Sequence, residues 1–186
     1  MSPPSPDPRL VDLLRQRSLR TGTFTLASGR SSSYYIDARV TTMSAAGLAL
    51  VGELGLAAIR RAGWAAEVVG GLTLGADPVA YAIARASRDA PPFLDAFTVR
   101  KQAKEHGTGR RIEGCFRPGA RAVVVEDVIT SGSSARSAIE AVTAEGGIVA
   151  GVLAVVDRQE GGRAAIEAGG VPVVCLVNVS DLGVVR

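Results

Sequence analysis

Histidine, lysine, cysteine and aromatic side chains are all scarce in this chain of 186 residues, which has one His, two Lys, two Cys and 4% aromatics. With His106 the only histidine and no Cys-x-x-Cys pair, the ligand sets of a zinc site are missing. Cys115 stands beside a turn-like "RPG", and Cys175 lies inside "VPVVCLV" and reads as a small core residue. A disulfide between them would need Cα atoms within ~7 Å, which the sequence leaves open. The longest strongly apolar run, "GGIVAGVLAVV" (146–156), is too short to span a bilayer. The opening "MSPPSPDPRL" has no apolar core and is not a signal peptide; residues 1–8 read as a flexible Pro/Ser-rich tail. A soluble, cytoplasmic protein with no membrane partner is expected.

What is present is an Ala/Val/Gly/Leu-rich chain, 47% apolar and 21% charged, a globular rather than a disordered profile. Its length suits one domain, 1–186, with a sizeable core. No repeat of fixed period and no internal linker is visible. The net charge of +3 is modest. It points to an anionic small-molecule site rather than to nucleic acid. The distribution of the basic residues says more. Nineteen of the 21 are Arg, and both lysines and the only histidine fall within "RKQAKEHGTGRR" (100–111). A chain that uses Lys only at Lys101 and Lys104 suggests a role that a guanidinium cannot fill, because Lys is a compact, titratable charge on a flexible stem. A solvated basic surface turn is the plainer alternative.

Apolar spacing predicts a helix over 8–19 and two short antiparallel strands within 21–39, joined by "SGRSSS". A long helix follows over 44–63, with Ser44 as N-cap and Gly63 ending it. Then the pattern becomes regular. Strands are predicted at 67–72, 95–100, 121–127, 148–157 and 171–178, and helices at 78–87, 133–147 and 162–170. Val-rich strands alternating with helices imply an α/β fold, a mostly parallel sheet covered on both faces.

In open α/β sheets ligands bind beyond the carboxyl ends of the strands. Four loops at such ends carry informative residues: "GGLTLGADP", "VRKQAKEHGTGRR", "EDVITSGSSA" and "DRQEGG". The third has neither the G-x-x-x-x-G-K-[ST] of a Walker loop nor a G-x-G-x-x-G fingerprint. It is a turn of small residues, Thr130-Ser131-Gly132-Ser133-Ser134, opening a helix. Backbone N–H groups, hydroxyls and the helix N-terminus can converge there on one phosphate. Glu126 and Asp127 would repel that phosphate, yet they can accept hydrogen bonds from sugar hydroxyls. A nest for a phosphate beside acids for hydroxyls describes a ribose 5-phosphate. An ordinary capped turn with solvated acids is the alternative.

"VVVEDVITSGSSA" (123–135) resembles the phosphoribosyl-pyrophosphate motif of type I phosphoribosyltransferases. "VRKQAKEHGTGRRIEG" (99–114) resembles the catalytic loop of the orotate phosphoribosyltransferase family. "FTLASGRSSSYYIDAR" (24–39) is similar to that family's amino-terminal hairpin, and "VVDRQEGG" (155–162) to its orotate-contacting segment. The resemblance runs from about Phe24 to Asp181 in matching order, and the four motifs together are specific where the two-acid motif alone is not.

The resemblance implies a type I phosphoribosyltransferase-like fold with a small N-terminal hood, an Mg²⁺-dependent enzyme of pyrimidine (UMP) synthesis, and a homodimer whose catalytic loop reaches into the neighbouring site. Orotate would displace pyrophosphate from C1 of phosphoribosyl pyrophosphate to give orotidine 5′-monophosphate, with Mg²⁺ held mainly by the substrate's pyrophosphate rather than by protein side chains. Arg100, Lys101, Lys104 and His106 would close over the pyrophosphate, with Lys104 and His106 stabilising or protonating it. Gly107 and Gly109 would let the loop open and shut. Glu126, Asp127, Val128, Ile129 and the turn Thr130 to Ser134 would hold the phosphoribosyl group. Thr130, Arg158, Tyr34 and Tyr35 would contact orotate, although an aromatic pair on a hairpin is also ordinary core. Asp157 either orients Arg158 or ends the strand. Two departures from the family pattern stand out: Ala27, where many relatives carry Lys, and Thr73-Leu74-Gly75, where many carry Tyr-Lys before the glycine. Arg30 and the backbone around Thr73 are the available substitutes.

Two other readings compete. A purine phosphoribosyltransferase is opposed by Arg158 and the Lys/His loop. A regulator that senses phosphoribosyl pyrophosphate and binds nucleic acid would need its own basic surface. Arg9, Arg15, Arg17 and Arg20 are the only candidates, on a helix too short to be a DNA-binding domain.

Overall fold

A computed structural model describes residues 5–25, 29, 31–102 and 111–184. The chain enters through α1 (Pro8–Arg17), whose N-cap Asp7 accepts the Arg9 amide. Proline fits here because the first helical N–H groups have no intrahelical partner. The hairpin β1 (Leu19–Thr25) and β2 (Ser31–Ile36) pairs antiparallel with a register irregularity between Thr21 and Phe24. A single turn, α2 (Arg39–Thr42), leads into α3 (Ala45–Arg61), capped by the Ser44 hydroxyl on the Gly47 amide at 3.1 Å.

The main sheet alternates strands and helices: β3 (Val68–Leu72), α4 (Ala76–Ser87), β4 (Asp95–Val99), β5 (Ile112–Gly114), β6 (Arg121–Ile129), α5 (Ser133–Ala144), β7 (Ile148–Asp157), α6 (Gly162–Glu167) and β8 (Val173–Asn178). Its spatial order is β5-β4-β3-β6-β7-β8, parallel except for the edge pair β4–β5. The expected α/β fold with a mostly parallel sheet is therefore observed, and a short 3-10 turn (Val179–Leu182) closes the described chain.

Because side chains alternate across a strand, β6 feeds two cores. Val123 and Val125 pack with α1, α3 and α4 through Leu14, Val51, Ile59, Val79 and Ile83. Ala122 and Val124 pack with α5 and α6 through Ala138, Val142 and Ile166. Burial on both faces explains the unbroken Val run.

Some boundaries differ from expectation, each for a local reason. α4 starts at Ala76, before Pro78, since proline is tolerated throughout a first turn. α5 stops at Ala144, because Gly146 takes φ 80° just beyond it and terminates the helix. β5 has only three residues and no periodicity to announce it. It exists because β4 pairs with it and because Glu145 Oε1 accepts the amides of Arg111 (3.1 Å) and Ile112 (3.2 Å).

Candidate active site

Adjacent positions at the end of β6 place the two acids on opposite sides of the sheet. Glu126 shares the face of Val124 and lines a small concavity with Thr130, Gly132, Ser133 and Ser134. Asp127 shares the face of Val125 and lies against the β3–α4 loop, so closely that a side chain on Gly75 would collide with its carboxylate. Glycine at 75 is thus required by close approach rather than by φ. Glu126 is 5% exposed, and its Oε1 has no hydrogen-bond partner among the described residues. Burial pushes its pKa up to about 8, and the neighbouring Asp127 charge adds to the shift. Asp127 is also raised by burial, opposed by the Val128 amide bonding its Oδ1 at 2.9 Å and by the nearby Arg39 charge. Such acids are not the solvated pair of the plainer sequence reading. They are desolvated acceptors set for donors that a ligand would bring.

The turn that follows is shaped by Gly132, at φ 76° as the N-cap of α5. A Cβ there would stand 2.7 Å from the Gly162 carbonyl and would press on Ile166. Left-handed backbone and contact with α6 both demand glycine. Behind it, the first N–H groups of α5, a helix of 12 residues, open toward the concavity, as helix N-termini must. Ser131 donates to the Ser133 hydroxyl at 3.2 Å. The arrangement suits a single phosphate.

The β7–α6 loop brings Arg158 beside this turn, its amide bonded to the Ile129 carbonyl at 3.0 Å. The Arg158 side chain is buried, pairs with Glu160 Oε1 at 2.8 Å, and lays its guanidinium over the Tyr34 ring at 5.1 Å. The hairpin and the main sheet thus meet at one cation–π contact. The two tyrosines separate in role: Tyr34 is buried under Arg158, whereas Tyr35 is exposed and packs on Phe24 at 5.8 Å. Asp157 accepts the Gln159 amide at 2.7 Å, shaping the loop that carries Arg158.

At the other wall, Arg100 and Lys101 are exposed at the end of β4, where the Arg100 amide bonds the Arg111 carbonyl at 2.8 Å and its side chain pairs with Glu113 at 3.5 Å. Arg111 in turn reaches the Ser137 hydroxyl on α5 at 3.0 Å. Lys104, His106, Gly107, Gly109, Ala27 and Arg30 lie outside the described residues. The candidate nucleic-acid helix has other duties: Arg9 pairs with Asp7 at 2.8 Å, and Arg15 donates to the carbonyls of Asp181 and Leu182.

Several participants escape sequence reading. Glu160 and Arg39 are ordinary charges until the fold sets them against Arg158 and near Asp127. Gly75 gives a weak signal, a glycine before a helix, but nothing names Asp127 as its neighbour.

No family model matches the chain. Curated relatives do. The orotate phosphoribosyltransferase of Aquifex aeolicus is 44% identical over 178 residues, 94% of this chain and 96% of that protein. Among solved structures, the Mycobacterium tuberculosis orotate phosphoribosyltransferase with Fe(III) dicitrate superposes with a TM-score of 0.84 at 46% identity, covering 95% of this chain and 98% of that one. The same enzyme with 5-phospho-alpha-D-ribosyl 1-diphosphate gives 0.77 at 40% identity, covering 94% and 90%.

Proposed function

The chain belongs to the orotate phosphoribosyltransferase family, and from that premise we infer how its own residues divide the reaction. The protein transfers the 5-phosphoribosyl group of phosphoribosyl pyrophosphate to orotate, releasing pyrophosphate and giving orotidine 5′-monophosphate for pyrimidine synthesis. The observation that carries the division is the junction of two subsites: the Arg158 backbone is bonded to Ile129, directly beside the acid pair and the phosphate turn.

The turn Thr130 to Ser134 holds the 5-phosphate through amides and hydroxyls. Glu126 and Asp127, with Val128 and Ile129 framing them, take the ribose hydroxyls. Arg158 holds the orotate carboxylate, its fork matching a planar anion, and Thr130 and Tyr34 flank the ring; Tyr35 borders it from the exposed side. At the opposite face of C1 the leaving pyrophosphate gathers negative charge, which Arg100, Lys101, Lys104 and His106 neutralise. Mg²⁺ held mainly by the substrate's pyrophosphate would supply further positive charge to the leaving group. The described concavity offers one carboxylate, Glu126, and the hydroxyls of Thr130, Ser133 and Ser134, hard oxygen donors of the kind such a cation takes. No helix among the described residues is long and apolar enough to cross a membrane, and the cytoplasm is the compartment proposed.

Loss of orotate absorbance with phosphoribosyl pyrophosphate and Mg²⁺ tests the reading, with hypoxanthine and uracil as rival acceptors; turnover of either rival in place of orotate would refute it. Arg158→Ala should raise KM for orotate by roughly 10- to 100-fold, as expected for a lost charge-assisted pair, while KM for phosphoribosyl pyrophosphate changes little. Equal effects on both substrates would remove Arg158 from the acceptor site.

A homodimer with shared sites is part of the proposal. Val40, Met43 and Leu74, 45%, 49% and 54% exposed, form an apolar surface with Arg17 and Arg39 next to the Gly75 loop. This is the surface assigned to the second copy. At orotate far below the KM of Arg158→Ala, mixing it with Lys104→Ala and reassorting subunits should restore about a quarter of wild-type activity, since each heterodimer of a twofold assembly regains one intact site. A loop acting within its own subunit would restore none.

A further inference from the structure

The β3–α4 loop reaches the site without a cation of its own: Thr73, Leu74 and Gly75 lie between β3 and α4, with Gly75 against Asp127. Its shape is set by a carboxylate that the division of roles above does not use. Asp77, in the first turn of α4, accepts from the Thr73 hydroxyl at Oδ2 (2.7 Å) and from the Thr98 hydroxyl at Oδ1 (2.9 Å). Thr98 also lies 2.9 Å from the Tyr81 hydroxyl. The proton order follows from valence. An ionised carboxylate only accepts, so both threonines donate to it, and Thr98 must then accept from Tyr81.

Thr73 belongs to the loop that abuts Asp127; Thr98 sits on β4, two residues before Arg100. One side chain therefore ties the loop beside Asp127, assigned above to the ribose, to the strand that leads into Arg100, assigned above to the pyrophosphate. It also has both oxygens committed to hydroxyl donors, which lessens the repulsion a free carboxylate would exert on a polyanion. We propose that Asp77 is a positioning residue for phosphoribosyl pyrophosphate, acting through Thr73 and Thr98 rather than by touching substrate or metal.

The inference rests on the phosphoribosyl-transfer reading. Wild-type turnover measured in the same assay tests that reading separately, so failure of one is distinguishable from failure of the other. Steady-state kinetics of the full chain with both substrates varied, beside thermal melts, provide the test. Asp77→Ala should raise KM for phosphoribosyl pyrophosphate about tenfold, the scale of losing charge-assisted hydrogen bonds, and leave KM for orotate within about twofold. Asp77→Asn should recover most of that loss, because an amide still accepts from one hydroxyl and donates to the other. Thr98→Val, which removes one arm only, should fall between Asp77→Ala and wild type, and it carries the test if Asp77→Ala does not fold. Unchanged kinetics in Asp77→Ala, parallel rises in both KM values, or an Asn variant as impaired as the Ala variant would each overturn the proposal. The last would mean that the charge itself is needed by substrate or metal.

Discussion

Replacing Lys104 with alanine is expected to lower kcat by about 10²- to 10⁴-fold, the range for loss of a positioned acid or charge, while the thermal transition stays near that of wild type. The reason begins in composition. Every other positive side chain except Lys101 is arginine, apart from the single His106. A lysine can approach the leaving pyrophosphate as a compact charge and surrender a proton, which a guanidinium cannot do at ordinary pH. The stem that presents the segment is firmly built: Arg100 and Arg111 bond across its base at 2.8 Å, and Glu145 and Ser137 of the α5 region hold the returning strand. The variant therefore removes charge from a segment whose anchors are untouched. Lys104→Arg should restore substrate affinity better than turnover. Single-turnover rates for Lys104→Ala close to wild type would remove this residue from catalysis.

Glu126→Gln should change both pH dependence and substrate affinity. In the unliganded protein the carboxyl titrates at about 8 against an ordinary 4.5. A raised acid pKa means that the folded state holds a proton the unfolded state has released. Stability from this group is thus fully present below about 4.5 and is lost as pH rises toward 8. The slope is at most about 1.4 kcal/mol per pH unit. Melting temperatures of Glu126→Gln should therefore fall less than those of wild type between pH 5 and pH 8, and the variant should be the more stable at pH 8. Ribose hydroxyls require the ionised acceptor, so binding of phosphoribosyl pyrophosphate to wild type should release a proton below pH 8. Calorimetry in buffers of different ionisation enthalpy measures that proton. The glutamine variant should release less and should bind roughly 10- to 100-fold more weakly, as for loss of charged hydrogen bonds. Parallel melting profiles and identical proton release in the two proteins would show that Glu126 is ionised before the substrate arrives.

The site was legible in sequence to the extent that its chemistry is local. "VVVEDVITSGSSA" specifies strand, acids, turn and helix start within one stretch, because strand alternation, glycine's access to positive φ and helix capping act over a few residues. Alternation by itself also implies that Glu126 and Asp127 diverge. It cannot say toward what. That Asp127 abuts Gly75, that Arg158 lies over Tyr34, and that Asp77 joins Thr73 to Thr98 are contacts between distant segments. The three-residue β5 is similar: it has too few residues for a period, and its register comes from β4.

By itself the sequence determined the alternating α/β architecture, the family and the residue types of each subsite. These follow from hydrophobic period, turn chemistry and motifs that keep their order along the chain. Tertiary packing alone set which acid is buried with an oxygen unbonded among the described residues, which tyrosine supports Arg158, and which carboxylate holds the β3–α4 loop. Burial and hydrogen-bond pairing depend on which segments the packed sheet brings within a few ångströms, and no local pattern in the chain encodes those neighbours.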